Sequence, residues 1–273
     1  MDDRPTAVVL AGGRGTRLRP YTTSFPKPLM PVGDRPILEI LLGQLIRAGF
    51  GQFVFATGHL AELIQAYFGD GSRWGVPIRY AREVEPLGTA GPLRSFIDIL
   101  PPHFLVVNGD VLSDLNFGSF LNSHRDGQPS RLLTIATHRR TLLSEYGVLQ
   151  TQADGRVRAY VEKPSYDLRV SEGIYAFSRE ALDWIPDGVR MDFPDLVNVM
   201  LRADQSIVAY EHSGLWLDIG RPEDYETAQL LVREHPEQFA DIVSPSRSDP
   251  SFERVGDVRS RRNNERVPGR RDP

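Results

Sequence analysis

The loop Gly12-Gly13-Arg14-Gly15-Thr16-Arg17 follows directly on the apolar run Thr6–Leu10. Glycines let the backbone curl so that successive N–H groups face one anion, making this loop a candidate phosphate nest. Phosphate sites in open α/β sheets lie at the carboxyl ends of strands, where this loop falls. Its spacing matches neither G-x-G-x-x-G nor the P-loop, so dinucleotide and Walker readings lose ground. Glycines also make plain turns. The nearby cations Arg17 and Lys27 are what turn this one into a candidate triphosphate cradle.

Lysine is scarce here. Of 32 basic residues only two are Lys: Lys27, in Pro26-Lys27-Pro28, and Lys163, in Glu162-Lys163-Pro164. Codon usage that favours arginine explains the rest. A lysine is a compact point charge on a slim stem, which arginine's planar fork does not replace at a narrow phosphate site. Both lysines are therefore candidate functional residues, against chance retention. Two carboxylates join them. Asp110 follows the buried run Phe104–Val107 through Asn108-Gly109, and Asp218 follows Trp216-Leu217. Taken singly, an Asx-turn at Asp110 and a helix cap at Asp218, ahead of Pro222, explain them as well.

These side chains need a scaffold. Apolar spacing predicts helices over Ile37–Ala48 and Leu60–Phe68, with another after Gly91. Short apolar runs at Phe53–Ala56, Pro77–Tyr80 and Phe104–Val107 read as strands. Strands alternating with helices imply a mostly parallel sheet covered on both faces. The second half is richer in strands: Leu132–Thr137, Tyr146–Leu149, Val157–Glu162 and Gly173–Phe177, with Asp154-Gly155 as a hairpin turn. Helices are expected at Ala181–Ile185, Phe193–Leu201 and Pro222–Arg233. Residues 244–273 hold eight Arg, five acids, four Pro and almost no apolar side chains. The expectation there is a disordered, solvated Arg-rich tail after a domain spanning residues 1–235.

Composition sets further bounds. Among 273 residues there is no cysteine, which excludes disulfides and fits a cytoplasmic location. No long apolar run predicts a membrane span, and the N-terminal residues do not read as a signal peptide. A net charge of −4 argues against a nucleic-acid partner. The histidines at 59, 103, 124, 138, 212 and 235 show no metal-ligand spacing and read as surface or structural residues.

The loop just described, continued by Leu18-Arg19-Pro20, then Pro26-Lys27-Pro28-Leu29 and Pro36-Ile37-Leu38-Glu39, resembles the signature of sugar-1-phosphate nucleotidyltransferases. The likeness continues through Gly69-Asp70-Gly71, Glu85-Pro86-Leu87-Gly88-Thr89-Ala90-Gly91, Asn108-Gly109-Asp110 and Tyr146-Gly147-Val148. It runs on through Glu162-Lys163-Pro164, Glu172-Gly173-Ile174-Tyr175 and Trp216-Leu217-Asp218-Ile219-Gly220, so it covers roughly residues 6–233. Mannose-1-phosphate guanylyltransferase-like members are the nearest resemblance.

The resemblance implies a Rossmann-like α/β fold with a mixed, mostly parallel sheet and an inserted sugar-binding region. It implies an NTP and a sugar 1-phosphate as partners, with a homo-oligomer left open. Asp110 and Asp218 become ligands for Mg²⁺, a hard cation that prefers oxygen. Leu10, Gly12, Gly13, Gly15, Thr16, Gly88 and Thr89 would line the nucleotide site. Arg17 and Lys27 would hold the triphosphate and the departing pyrophosphate. Lys163 would grip the sugar's phosphate, Glu162 the ring hydroxyls, and Asn108 would lie beside them. Gly147 and Gly173 would admit the sugar closely, although strand bends also use glycine. Glu83, on the loop before Gly88, offers an acceptor to guanine's adjacent donors and favours GTP; an exposed surface Glu is the plain reading. Trp216 could stack on a sugar or sit in the core.

Mannose, glucose and heptose remain open, as do UTP, dTTP and CTP. A non-catalytic nucleotide-sugar sensor should have damaged motifs, yet Lys27, Asp110, Lys163 and Asp218 are all present. An NAD-dependent oxidoreductase would need the missing dinucleotide fingerprint. A fused acetyltransferase would need hexapeptide repeats, which are absent.

Overall fold

The computed structural model describes residues 4–82, 85–127, 130–237 and 239, and its apolar runs fold as an alternating α/β chain. In order come β1 (Thr6–Ala11), a short pair β2 (Pro31–Val32) and β3 (Arg35–Pro36), α1 (Ile37–Arg47), β4 (Gln52–Thr57), α2 (Ala61–Phe68), β5 (Ile78–Arg82) and β6 (His103–Asn108). The second half adds β7 (Val111–Ser113), α3 (Phe117–Arg125), β8 (Leu133–Leu143), β9 (Val148–Thr151), β10 (Val157–Val161) and β11 (Ser165–Ser178). It finishes with α4 (Phe193–Arg202), β12 (Ile207–His212), β13 (Trp216–Asp218) and α5 (Pro222–Glu234).

Seven strands form the central sheet in the order β12-β8-β11-β6-β1-β4-β5. β1 pairs in parallel with β4 and β6, β4 with β5, and β8 with β12, while β11 runs antiparallel between β6 and β8. This is the mixed, mostly parallel sheet expected. From β1 the chain moves outward through β4 to β5, then returns to the other side of β1 as β6. The order reverses between β1 and β6, and such a switch point opens a crevice beyond the carboxyl ends of the strands.

Burial explains the central strands. Val8, Val54, Phe104, Val106 and Phe177 have no more than 4% of their surface exposed and share one core cluster with Leu196 and Met200 of α4. Tyr175 stacks on Phe193 at 4.0 Å, which fixes the start of α4 over β11. α1 buries Ile37, Leu38, Ile40, Leu41, Leu42 and Leu45, a wider band than one amphipathic face, because β7 packs beside it.

Several expectations need correction. The helix after Gly91 and the one at Ala181–Ile185 are 3-10 turns, Gly91–Phe96 and Arg179–Trp184, too short to complete α-helical ladders. The strand expected at Tyr146–Leu149 begins only at Val148. The strand expected at Gly173–Phe177 is the core half of β11, whose other half, Ser165–Ser171, pairs with β8 outside the core. α3 and β12 are additional to the expected elements: α3 buries Phe117, Phe120, Leu121 and His124, and β12 pairs with β8. Gly155, at φ 84°, does turn the β9–β10 hairpin as its sequence indicates. α5, the last helix among the described residues, closes at Glu234. Residues 244–273 lie outside the described residues.

His124 on α3 is 1% exposed, with Nδ1 2.9 Å from Thr134 Oγ1 and Nε2 3.1 Å from Ser178 Oγ. Burial, reinforced by His103 and Arg131, lowers its pKa from 6.5 to about 4. The unfolded chain therefore takes up this proton before the folded one. Stability should fall as pH drops from the unfolded value toward the folded one, by about 3 kcal/mol in all. Urea titrations across that window should show the slope in the parent, and His124→Asn should flatten it.

Candidate functional site

A cleft of about 1180 Å³ opens at the switch point, lined by Leu10, Gly12, Gly13, Lys27, Asn108 and Asp110, among others. Two loops shape it. After β1 the chain enters the Gly-rich segment, where Gly15 takes φ 58° and starts a 3-10 turn at Thr16. A Cβ at Gly15 would meet Thr22 Cγ2 at 2.9 Å and Lys27 Cβ at 3.2 Å, so this loop packs directly on the lysine segment. After β6, Asn108-Gly109-Asp110 turns into β7. Gly109 N–H donates to Leu10 O at 2.9 Å, tying the two loops together.

Lys27, 8% exposed, is nearly enclosed, and its Nζ donates to Asp110 Oδ2. Asp218 Oδ1 lies 4.0 Å from the same ammonium. The register of β7 with β13 sets this meeting, because Val111 pairs with Asp218 and Ile219 N–H donates to Asp110 O. Burial first, then the charge of Asp110, pushes the Asp218 carboxyl above its ordinary range, while Lys27 and Arg17 pull it back. Two converging carboxylates, one of them desolvated against its neighbour, are a donor set suited to a hard divalent cation.

The plainer readings of both aspartates fail. Asp110 spends its carboxylate on Lys27 rather than on a local turn. Asp224 caps α5, accepting from Gly220 N–H at 3.1 Å and Arg221 N–H at 2.8 Å, so Asp218 is not a helix cap.

Gly88 and Thr89 also line the cleft. Thr89 N–H donates to Asp192 Oδ1 at 3.0 Å, and Phe193 N–H donates to Thr89 Oγ1 at 2.9 Å, which binds this loop to the start of α4. Gly88 has φ 82°, and a Cβ there would lie 2.5 Å from Met191 O. Gly88→Ala should therefore cost about 2 kcal/mol or more, readable as an earlier urea midpoint with an unchanged slope.

The remaining sequence candidates lie elsewhere. Arg17 does not line the cleft; its guanidinium packs near Gly220, where a Cβ would be 3.4 Å from Nη1. Gly173, at φ 75°, abuts Asn108, whose Nδ2 would lie 2.5 Å from an added Cβ. That close approach connects β11 to the cleft wall. Gly147 precedes β9, Glu162 and Lys163 link β10 to the exposed outer half of β11, and none of the three lines the cleft. Tyr160 Oη donates to Glu162 at 2.9 Å directly over Gly147, whose missing side chain leaves the room. Lys163 takes φ 44°, a turn conformation for the residue that enters β11. Trp216 is half-buried and donates Nε1–H to Glu172 O at 2.9 Å, so it serves packing. Glu83 lies outside the described residues.

Sequence reading missed Arg14, His59, Arg82, Arg190 and Asp192, which also line the cleft. Arg14 was signalled by its place inside the Gly-rich loop. Arg190 and Asp192 had no signal, being about a hundred residues from Gly88.

An α/β sheet with an anion-suited cleft at its switch point, cation and carboxylates converging at one wall, describes a nucleotide-handling fold. The chain belongs to the nucleotidyl transferase family, whose model matches residues 6–235. It is 36% identical to mannose-1-phosphate guanylyltransferase of Mycobacterium tuberculosis, covering 80% of this chain and 62% of that protein. It is 35% identical to UTP–glucose-1-phosphate uridylyltransferase of Synechocystis, covering 80% of this chain and 61% of that one. The chain thus spans about three fifths of the length of these curated relatives. Among solved structures it resembles HddC from Yersinia pseudotuberculosis with a TM-score of 0.66 and 26% identity, over 83% of this chain and 98% of that one. HddC has also been solved in complex with GMP-PN.

Proposed function

We propose that this chain transfers a nucleoside monophosphate from an NTP to a sugar 1-phosphate, giving an NDP-sugar and pyrophosphate. The observation that carries the reading is Lys27, enclosed at the switch point and shared by Asp110 and Asp218 beside the Gly-rich loop. In the reaction an oxygen of the sugar phosphate bonds to the α-phosphorus of the NTP. The bond from that phosphorus to the β-phosphate oxygen breaks, and pyrophosphate leaves. Both reactants are polyanions, so the protein's task is positioning and charge neutralisation. A phosphate monoester is already ionised and needs no side-chain base.

Lys27 and the N–H groups after β1 hold the triphosphate, and Arg17 strengthens the field around Asp218. Asp110 and Asp218 would hold Mg²⁺, which neutralises charge on the phosphate oxygens when bound. Gly88 and Thr89 bound the nucleoside, and Asn108 with Gly173 marks the passage toward the sugar. Glu162 and Lys163 meet the sugar and its phosphate. The guanylyltransferase relative and the GMP-PN complex of HddC support GTP, and the former supports a mannose-type sugar, with a heptose-type sugar kept beside it from the sequence reading. The uridylyltransferase relative supports a second reading, UTP with glucose 1-phosphate.

A pyrophosphate-release screen crossing four NTPs with several sugar 1-phosphates tests all of this. Release should require both substrates, be greatest with GTP, and stop when a chelator removes Mg²⁺. Release with UTP and glucose 1-phosphate alone would move the assignment to the second reading. No release with any pair would end it.

A further inference from the structure

A second cluster of ligand-type side chains lies away from the cleft. His138 on β8 and His212 on β12 are direct partners in the parallel register. Partners on adjacent strands project from the same face. Between Ser171 and Tyr175 the register of β11 against β8 shifts, and this bulge carries Glu172 beside them. One ligand atom from each of the three residues lies within 4.8 Å of the others.

The polar atoms are buried and not all satisfied. The Glu172 side chain has no exposed surface, and its Oε2 has no hydrogen-bond partner. His138 Nδ1 is likewise buried without a hydrogen bond, 3.5 Å from Glu172 Oε1. His212 Nδ1 faces the same oxygen at 2.8 Å. Burial raises the Glu172 carboxyl above its ordinary range even though both imidazoles oppose the shift. Glu172 Oε2 and His138 Nδ1 are thus two ligand-type atoms left unsatisfied in one buried pocket beside the His212 nitrogen.

The surroundings fit a cation. The other nitrogen of His212, Nε2, lies 2.8 Å from Asp114 Oδ1. A carboxylate on the far nitrogen orients an imidazole ligand and raises its basicity. Gly214 makes that arrangement possible, because a Cβ there would lie 2.1 Å from Asp114 Oδ1 and 2.6 Å from His212 Nε2. Two imidazoles and one carboxylate suit a late first-row divalent ion, with a remaining position for water.

We propose that His138, Glu172 and His212 bind one Zn²⁺-type cation, with Asp114 orienting His212. The ion displaces the proton shared by His212 and Glu172. It clamps the bulge of β11 to the sheet edge, next to Gly173 and to Trp216, whose indole N–H is held by Glu172 O. The site is independent of the proposed transfer reaction and of the Mg²⁺ expected at Asp110 and Asp218.

The test uses untagged full-length protein, stripped of metal and then saturated with Mg²⁺. Added Co²⁺ should bind in one equivalent and develop the visible absorption of imidazole-ligated cobalt, which Zn²⁺ then bleaches. Zn²⁺ should also raise the melting temperature by several degrees. His138→Gln, at the partly open side of the cluster, should weaken Co²⁺ binding at least about tenfold, whereas Asp110→Asn should leave the spectrum unchanged. If a variant fails to fold, X-ray absorption of the Zn²⁺-loaded parent protein should count two imidazole ligands. Absence of an absorbing equivalent, bands lost only in Asp110→Asn, or a zinc shell without imidazole would each overturn the site.

Discussion

Replacing Asp110 with Asn should abolish pyrophosphate release, lowering turnover roughly a thousandfold or more while the fold persists. The amide keeps the shape of the carboxylate and loses its charge. Asp110 is the closer of the two carboxylate partners of Lys27 and lines the cleft, which Asp218 does not. Without it a cation keeps only Asp218, and the lysine loses its nearest counter-charge. The cost to stability should be modest, about 1–2 kcal/mol, because the Asp110 side chain retains 24% of its exposure. Turnover assays over a range of Mg²⁺, paired with thermal melts, separate the two effects. Near-normal rates at low Mg²⁺ would remove Asp110 from the metal assignment.

The second large effect is expected from Lys27→Arg, which keeps the charge and changes its shape. Lys27 is almost entirely buried between Asp110, Asp218 and the Gly15–Thr22 loop. A planar guanidinium needs more width than a primary ammonium, and Asp110 and Asp218 already crowd the end of the Lys27 side chain. Turnover should drop about a hundredfold or more, with the loss in kcat rather than only in KM. A variant with unaltered kcat would show that any cation serves and that lysine is incidental here.

The expected residues that do line the cleft were legible because each lies in a local segment. The glycines after β1, the Lys27 segment and Asn108-Gly109-Asp110 each sit at a strand end that the apolar runs announce. What joined them was not local. The meeting of Asp110 with Asp218 depends on β7 pairing with β13, two three-residue strands too short to leave a period. The tie between Thr89 and Asp192 spans about a hundred residues and follows from packing alone. The histidines show the same limit most sharply. Along the chain, His138 and His212 have no ligand spacing, yet sheet register makes them neighbours with Glu172. Strand pairing is a long-range choice, and the spacing of residues in the chain does not encode it. α3 escaped notice for a related reason: Phe117, Phe120, Leu121 and His124 are its buried positions, and a histidine masks the last of these.

β11 runs fourteen residues, its inner half in the core and its outer half paired with β8 outside it, with the bulge at Glu172 between them. Such a ribbon can evolve in length only by certain steps. Adding two residues to each of β8 and β11 would carry the Glu162–Lys163 turn further out while keeping the outer side chains of both strands on the same face. Adding one would invert that face. On the proposed reading of Glu162 and Lys163, lineages adapted to longer or shorter acceptors should therefore differ here by even-numbered insertions, paired across the two strands.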